Sequence, residues 1–178
     1  RTVPPHRRAG VAGETMQTAL SLIRPQAAAR GITISERCEG ACEAVYVGDE
    51  PRVRQVLANL LGNAVKFNEP GGRIDVRCRV TGDPPPGLGL EPGRSYVALS
   101  VSDTGIGIPT DQQAAIFEPF TQAGTRNPYT RERSGAGLGL TISRELARLM
   151  GGEVTVASVA GKGSTSTLWL QAAGEQGE

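Results

Sequence analysis

Apolar residues recur at helical spacing in three stretches of the chain. The clearest is 52–67, where they follow at three- and four-residue steps, as on the buried face of a helix: Val53, Val56, Leu57, Leu60, Leu61 and Ala64. Asp49 is placed to cap this helix, and Pro51 fits its first turn. The same spacing, with glycine following each stretch, predicts helices over 14–30 and 138–150.

Alternation of apolar and polar residues predicts strands elsewhere. The stretches 73–80 and 95–102 flank a loop with four prolines between Gly82 and Gly93, and together they predict a hairpin. Shorter strands are predicted at 32–34, 45–47, 153–158 and 164–170, with a hairpin turn at 161–164. Because helices and strands alternate only in part, this order predicts an α/β (α+β) sandwich with a mixed sheet and helices on one face.

A long polar stretch interrupts the pattern. Residues from about 109 to 136 are rich in polar side chains and arginine, without clear periodicity. An irregular segment of that length in a compact domain is typical of a lid or a binding loop. We therefore expect a mobile lid over a ligand site.

Composition narrows the class of protein. The 178 residues are 38% hydrophobic and 21% charged, which is typical of one soluble globular domain. A formal net charge of +1 excludes a strongly basic nucleic-acid footprint. No apolar run is long enough to span a membrane, so no membrane contact is expected. Cys38, Cys42 and Cys78 match no zinc-binding spacing, and we expect reduced thiols in a cytoplasmic protein.

One face of the helix predicted at 52–67 is unusually polar. At about 100° per residue, a narrow stripe collects Arg52, Gln55, Asn59, Asn63 and Lys66. Asparagine is a poor helix former, so two of them one turn apart require a reason. Amide oxygens can ligate Mg²⁺, and an ammonium can hold a phosphate. The alternative, from this stripe alone, is an ordinary solvated face.

A carboxylate ends a predicted core strand. Val97, Leu99, Val101 and Asp103 lie on one side of that strand. A buried carboxylate needs a donor, which the exocyclic amine of adenine would supply, and glycines at 104–108 would let a ligand approach the backbone. The alternative is a turn closed by an Asx hydrogen bond. Burial in register with the core favours the ligand.

Glycines also precede the last predicted helix, in the segment Gly135-Ala-Gly-Leu-Gly-Leu140. Amides at a helix start, together with the helix dipole, favour phosphate. A dinucleotide-binding fold would need a strand immediately before these glycines, where the polar stretch lies instead. The segment 161–164 is not a phosphate-binding loop either, because glycine follows the lysine where Ser or Thr belongs.

The order and spacing of these segments resemble the catalytic domain of bacterial sensor histidine kinases, in the superfamily that also holds Hsp90, DNA gyrase B and MutL. Residues 55–67 resemble the N box, 103–108 the G1 box, 116–120 the F box and 135–140 the G2 box. The resemblance implies the Bergerat ATP-binding fold, in which a mainly antiparallel mixed sheet of about five strands packs on about three helices.

The resemblance implies a site for ATP and Mg²⁺. Asn63 would ligate Mg²⁺, Asn59 would support the metal and phosphates, and Lys66 would contact phosphate. Phe67 would lie against adenine, and Asp103 would bind the adenine amine. The other positions implied to contact the nucleotide, wall its pocket or anchor the lid are Gly105, Gly107, Ile108, Phe120, Gly135, Gly137, Leu138, Gly139 and Leu140. Asn59, Lys66 and the lid residue Arg133 are the candidates for a catalytic role.

The resemblance also implies a reaction and its partners. The γ-phosphoryl group of ATP would pass to a histidine on a separate helical dimerisation domain, and a response regulator receiver domain would act downstream. The fragment would be a monomer and its parent a homodimer, with 1–13 a linker, 14–171 the catalytic domain and 172–178 a flexible tail. The only histidine, His6, has no acid beside it and no helical pattern, so we do not expect it to accept phosphate.

The sequence departs from the family pattern at two positions, and two other functions are compatible with parts of it. Ala136 stands where the family often has Thr, and Ser166 where it often has Phe. An ATPase of the Hsp90 or MutL type would carry a glutamate at the Asn59 position to activate water, and asparagine cannot act as that base. A degenerate nucleotide-binding module without phosphotransfer is the second interpretation, against which the intact motifs argue.

Overall fold

The computed structural model describes residues 8–38, 40–108, 111 and 137–173, and only the backbone of 137–139. Predictions for His6, the F box with Phe120, Arg133, Gly135 and nearly all of the lid lie outside these residues. The elements in chain order are β1 (Ala9–Val11), α1 (Ala12–Ala29), β2 (Thr33–Arg37), β3 (Val45–Val47), α2 (Glu50–Lys66), β4 (Arg73–Thr81), β5 (Tyr96–Asp103), α3 (Gly137–Leu149), β6 (Glu153–Val159) and β7 (Gly163–Gln171).

The strands form two sheets. The main sheet has five strands in the order β2-β4-β5-β7-β6, and a small sheet pairs β1 with β3. The β2–β4 pair is parallel, whereas β4–β5, β5–β7 and β6–β7 are antiparallel. Both predicted hairpins are present, and the predicted mixed, mainly antiparallel sheet with helices packed on it is confirmed.

Helix α2 is central to the core because its apolar stripe is entirely buried. Val53, Val56, Leu57 and Leu61 have no exposed surface, and Leu60 is 2% exposed. Full burial of such a side chain contributes about 1.5–3 kcal/mol. The helix packs against α1, α3 and β5, so its opposite, polar stripe lies at the edge of this packed layer.

The start of α2 differs from the capping prediction in one respect. Asp49 is the N-cap residue, as predicted, but its side chain makes no capping hydrogen bond. Its carboxylate instead contacts Arg8 at 2.7 Å and Arg52 at 3.4 Å. Two guanidinium groups therefore hold it away from the helix amides.

Residues 9–13 lie in the fold rather than apart from it, although they fall in the predicted linker 1–13. Ala9, Gly10 and Val11 pair with Val47, Tyr46 and Val45, and α1 follows without a break. A partner strand 34 or more residues away supplies the hydrogen bonds that the local sequence could not indicate.

The prediction that all three cysteines are reduced thiols is wrong for two of them. Cys38 and Cys42 form a disulfide, with their Cα atoms 5.2 Å apart. The turn that follows β2 brings the two together, because the N–H of Ala41 donates to the carbonyl of Cys38 at 2.7 Å. Cys78 is a free thiol buried in the sheet. Within the described residues, no helix is long and apolar enough to cross a membrane.

Candidate functional site

The two asparagines of α2 lie on its polar stripe and are half-buried. The Nδ2 of Asn59 donates a 3.1 Å hydrogen bond to the hydroxyl of Ser143, a buried residue of α3. This contact fixes the orientation of the Asn59 amide, because it engages the nitrogen end of the group. The sequence did not single out Ser143, because its hydroxyl, one turn after Leu140, looked like that of any polar helix residue.

Asn63, one turn further along α2, carries an unusual polar atom. Its Nδ2 is buried and has no hydrogen-bond partner among the described residues. Leaving such a group unpaired costs about 1–3 kcal/mol, so this position favours a ligand that offers it a hydrogen-bond acceptor. A half-turn of the Asn63 side-chain amide exchanges Nδ2 and Oδ1, so either atom can occupy the buried position.

The carboxylate of Asp103 lies at the end of β5, in line with the core side chains Val97, Leu99 and Val101. Its Oδ1 accepts a 2.8 Å hydrogen bond from the N–H of Gly105. Burial raises the pKa of Asp103, while the backbone N–H groups of Gly105 and Ser164 lower it in part. The Asx turn and a carboxylate in register with the core, which were alternatives in the sequence, therefore occur together, with Asp103 half-buried.

Glycines after Asp103 let the backbone pack closely against the rest of the fold. A Cβ on Gly105 would collide with the carbonyl oxygen of Phe67. Gly107 has a φ of 71°, and a Cβ there would collide with the carbonyl oxygen of Val159. The N–H of Ile108, which is buried, donates to Ser158 Oγ at 2.6 Å. Close approach of the protein's own backbone is thus one physical reason for glycine here, and a ligand contact remains a prediction.

Lys66 and Phe67 end α2 beside this turn. Phe67 is buried, whereas Lys66 is exposed and holds its Nζ 5.4 Å from the centre of the Phe67 ring. A cation over an aromatic face at an exposed position contributes about 0.5–1 kcal/mol. The contact keeps the ammonium near the end of the polar stripe, within reach of an anion entering from solvent.

The glycine-rich segment supplies the start of α3. The backbone of Gly137, Leu138 and Gly139 forms the first residues of that helix, as the sequence predicted. The side chain of Leu140 is buried. The amides of a helix start and the positive end of its dipole favour an anion. Ser143, further along α3, contacts Asn59 of α2.

A narrow cleft with a volume of about 10 Å³ lies among these groups and is lined by some of them. Five predicted residues line it together: Asn63, Phe67, Asp103, Gly107 and Leu140. Asn59, Lys66, Gly105 and Ile108 are not part of that lining. The structure adds Ser164 and Ser166 of β7, which pair with Asp103 and Val101 across the sheet. Ser166 was noted in the sequence only as a departure from a family pattern.

A family profile described as "Histidine kinase-, DNA gyrase B-, and HSP90-like ATPase" matches residues 48–174. The chain belongs to this family. The circadian input-output histidine kinase CikA of Synechococcus elongatus is 41% identical over 126 residues, which are 71% of this chain and 15% of that protein. The sensor histidine kinase AruS of Pseudomonas aeruginosa is 41% identical over 156 residues, 88% of this chain and 14% of that protein. The chain therefore spans about a seventh of the length of these relatives.

Solved structures agree with the architecture of this histidine kinase domain. The nucleotide-free catalytic domain of the histidine kinase ThkA superimposes with a TM-score of 0.71 at 21% identity, covering 92% of this chain and 94% of that one. Full-length ShkA in complex with AMPPNP superimposes with a TM-score of 0.69 at 30% identity, covering 96% of this chain and 32% of that one. The recognition as the ATP-binding catalytic domain of a sensor histidine kinase is confirmed.

Proposed function

We propose that this domain binds Mg·ATP in the cleft lined by α2, β5 and the start of α3. It then donates the γ-phosphoryl group to a histidine on a separate helical dimerisation domain of the parent kinase. The observation that carries the binding proposal is that two polar groups line one cleft: the half-buried carboxylate of Asp103, and the Asn63 amide, whose buried Nδ2 has no partner among the described residues. The AMPPNP complex of ShkA, which is 30% identical, supports a nucleotide as the occupant.

The adenine would occupy the end of the cleft at Asp103. The Asp103 carboxylate accepts from the exocyclic amine, and the buried ring of Phe67 forms an apolar wall beside it. Guanine presents a carbonyl at that edge, which faces the carboxylate unfavourably. A site built around a buried polar group rejects a ligand that fails to pair with it, so the domain selects adenine.

The phosphates would lie between the polar stripe of α2 and the start of α3. The Asn63 amide oxygen would ligate Mg²⁺, because amide oxygens are suitable ligands. Its buried Nδ2, which has no partner among the described residues, would donate to a phosphate oxygen. The Nδ2 of Asn59 donates to Ser143, and the Asn59 amide oxygen would support the metal. The ion would neutralise charge on the phosphates. Lys66 and the amides of Gly137 to Gly139 contact phosphate oxygens.

Phosphotransfer, rather than hydrolysis, follows from the residue at position 59. Water activation requires a base, and the Asn59 amide, already bonded through Nδ2 to Ser143, cannot accept a proton at neutral pH. The nucleophile and its base therefore come from a partner, the dimerisation domain. Downstream, a response regulator receiver domain takes the phosphoryl group. Arg133 of the lid and Phe120 of the F box remain predicted contributors.

Titration calorimetry with AMPPNP, in the presence and absence of Mg²⁺, tests the binding proposal. We expect a dissociation constant of about 10–100 µM with Mg²⁺, near −6 kcal/mol. The guanine analogue GMPPNP should release no measurable heat at the same concentration. Absence of heat with millimolar AMPPNP would overturn the proposal and leave a degenerate module.

A further inference from the structure

The turn between β2 and β3 is closed by the Cys38–Cys42 disulfide. Cys38 follows β2 directly and is half-buried, whereas Cys42 is exposed. This turn lies outside the nucleotide cleft, and neither cysteine belongs to the cleft lining. The bond therefore has no role in the proposed function and requires its own explanation.

The turn supplies the N-terminal cap of α1. The N-cap residue of this helix, Val11, has no side-chain cap. Instead, the N–H groups of Ala12 and Gly13 donate to the carbonyls of Ala44 and Cys42, both at 2.8 Å. These are two of the four amides that a helix start leaves without intrahelical partners. Cys42 thus contributes its sulfur to the disulfide and its backbone carbonyl to the N-terminal cap of α1.

The contact at Gly13 is close enough to depend on the position of the turn. A Cβ on Gly13 would lie 2.6 Å from the carbonyl oxygen of Cys42. Only glycine allows the turn to approach the helix in this way. A shift of Cys42 by a fraction of an ångström would therefore change both the cap and the packing at the start of α1.

A cavity next to the turn gives a reagent access to the disulfide. It has a volume of about 490 Å³, and its lining includes Cys38, Cys42, Met16, Val76 and Cys78. Burial raises the pKa of Cys78 to about 11, so this third thiol stays protonated and is a poor nucleophile. The disulfide is consequently stable against exchange with its own neighbour while open to an external thiol.

We propose that Cys38–Cys42 is a thiol–disulfide exchange site for a dithiol reductant, and that its reduction loosens the cap of α1. A thiolate of the dithiol attacks the sulfur of Cys42, the more exposed residue of the pair. The Cys38–Cys42 bond breaks, and Cys38 leaves as a thiolate that takes up a proton. The second thiol of the reductant then attacks the mixed disulfide, releases Cys42 as a thiol, and leaves the reductant oxidised. Two electrons and two protons pass to the protein.

The consequence is local to one end of the domain. The start of α1 continues from β1, which pairs with β3 just after the turn, and the buried face of α1 packs on α2. Loss of the cap frees the first turn of α1, while Met16, Leu20 and Ile23 keep the rest of the helix in the core. Reduction therefore changes the start of α1 without dismantling the nucleotide cleft.

The test combines alkylation with amide hydrogen exchange measured by NMR. Air-oxidised protein, unfolded and alkylated, should show one thiol, and protein treated with dithiothreitol should show three. The Gly13 and Ala12 amides should exchange about fivefold faster after reduction, which corresponds to about 1 kcal/mol. Amides of α3 should keep their rates in both states.

A serine at position 42 provides the matched control. Cys42→Ser should exchange like reduced wild type whether or not dithiothreitol is present, and Cys78→Ala should respond to the reductant as wild type does. If no oxidant forms the Cys38–Cys42 bond, the proposal is overturned. Equal exchange at Gly13 in oxidised and reduced protein would overturn it as well. Nucleotide affinity, measured in both states, reports on the proposed function independently.

Discussion

The side-chain amide of Asn59 is tied to the hydroxyl of Ser143 at 3.1 Å, which joins the asparagine stripe of α2 to α3. We predict that Ser143→Ala weakens Mg·AMPPNP binding about fivefold, since one hydrogen bond of about 1 kcal/mol no longer orients the Asn59 amide. Ser100→Ala is the control, because Ser100 is also buried and bonded to a hydroxyl, that of Thr167, but outside the cleft lining. Calorimetry should show wild-type affinity for the control, and equal losses in both variants would reject a positioning role for Ser143.

Asn63→Ala is expected to remove most of the Mg²⁺ enhancement of AMPPNP binding while preserving the fold. The side chain is half-buried, and its Nδ2 has no partner among the described residues, so its removal costs little stability. Gln55→Ala, an exposed position two turns earlier on the same stripe, should keep the full enhancement. Affinities measured with and without Mg²⁺ check the prediction. An unchanged ratio in Asn63→Ala would exclude this residue as a ligand.

Asp103→Asn should weaken AMPPNP binding and, without nucleotide, make the domain more stable at neutral pH. Burial raises the folded-state pKa of Asp103, so the folded protein favours the neutral carboxyl. Wild type therefore loses stability as pH rises from the ordinary aspartate value of about 3.9 through the raised pKa, and the amide does not. Thermal melts across this pH range should show the melting temperature of the variant rising relative to that of wild type as pH increases. Wild-type affinity in the variant would make Asp103 a turn residue only.

Two glycine substitutions should have opposite effects on stability. Gly105→Ala places a Cβ against the carbonyl oxygen of Phe67, and we expect a loss of about 2–4 kcal/mol. Gly62→Ala, inside α2, meets no atom within 4 Å and should stabilise the protein by about 0.5–1 kcal/mol. Urea denaturation of both variants is the measurement. A neutral Gly105→Ala would mean that the turn after Asp103 shifts without cost.

Periodic patterns were enough to predict the elements that form the cleft. The apolar stripe of α2 predicted its buried face correctly, because helix periodicity is a local property of the sequence. The alternation in β5 is local too, and it predicted that Asp103 lies on the same side of the strand as Val101. Residues at the ends of these two elements lie together in the structure, and their roles in binding stay predictions. Asn63, Phe67 and Asp103 line one cleft, although 36 residues separate Phe67 from Asp103.

Contacts between distant segments could not be predicted from one sequence. Arg8 binds the Asp49 carboxylate across 41 residues, and β1 pairs with β3. The local sequence around Arg8 and β1 does not indicate which distant segment either of them contacts. The Cys38–Cys42 bond depends on a turn whose geometry is set by its hydrogen bonds to α1. Ser143 looked like an ordinary polar helix residue, and only the packing of α3 on α2 brings it to Asn59.

The catalytic proposal is tested by separating donor and acceptor. Alone with γ-labelled ATP, this fragment should form no stable phosphohistidine, because its only histidine, His6, lies in a Pro-Pro-His-Arg-Arg segment with no acid beside it. Adding the dimerisation domain of the same parent as a second polypeptide should place acid-labile label on that polypeptide. An imidazole nitrogen must come within about 3–3.5 Å of the γ-phosphorus in line with the bond that breaks, and only a docked partner can supply that geometry.

Matched variants make the outcome of this experiment specific. The dimerisation domain with its acceptor histidine changed to alanine should stay unlabelled, and Asn63→Ala in the fragment should slow labelling of the intact acceptor. His6→Ala should label the partner at the wild-type rate. Label on His6 of the isolated fragment would overturn the proposed division between donor and acceptor. Steady release of inorganic phosphate without any acceptor would favour the ATPase interpretation, in spite of asparagine at position 59.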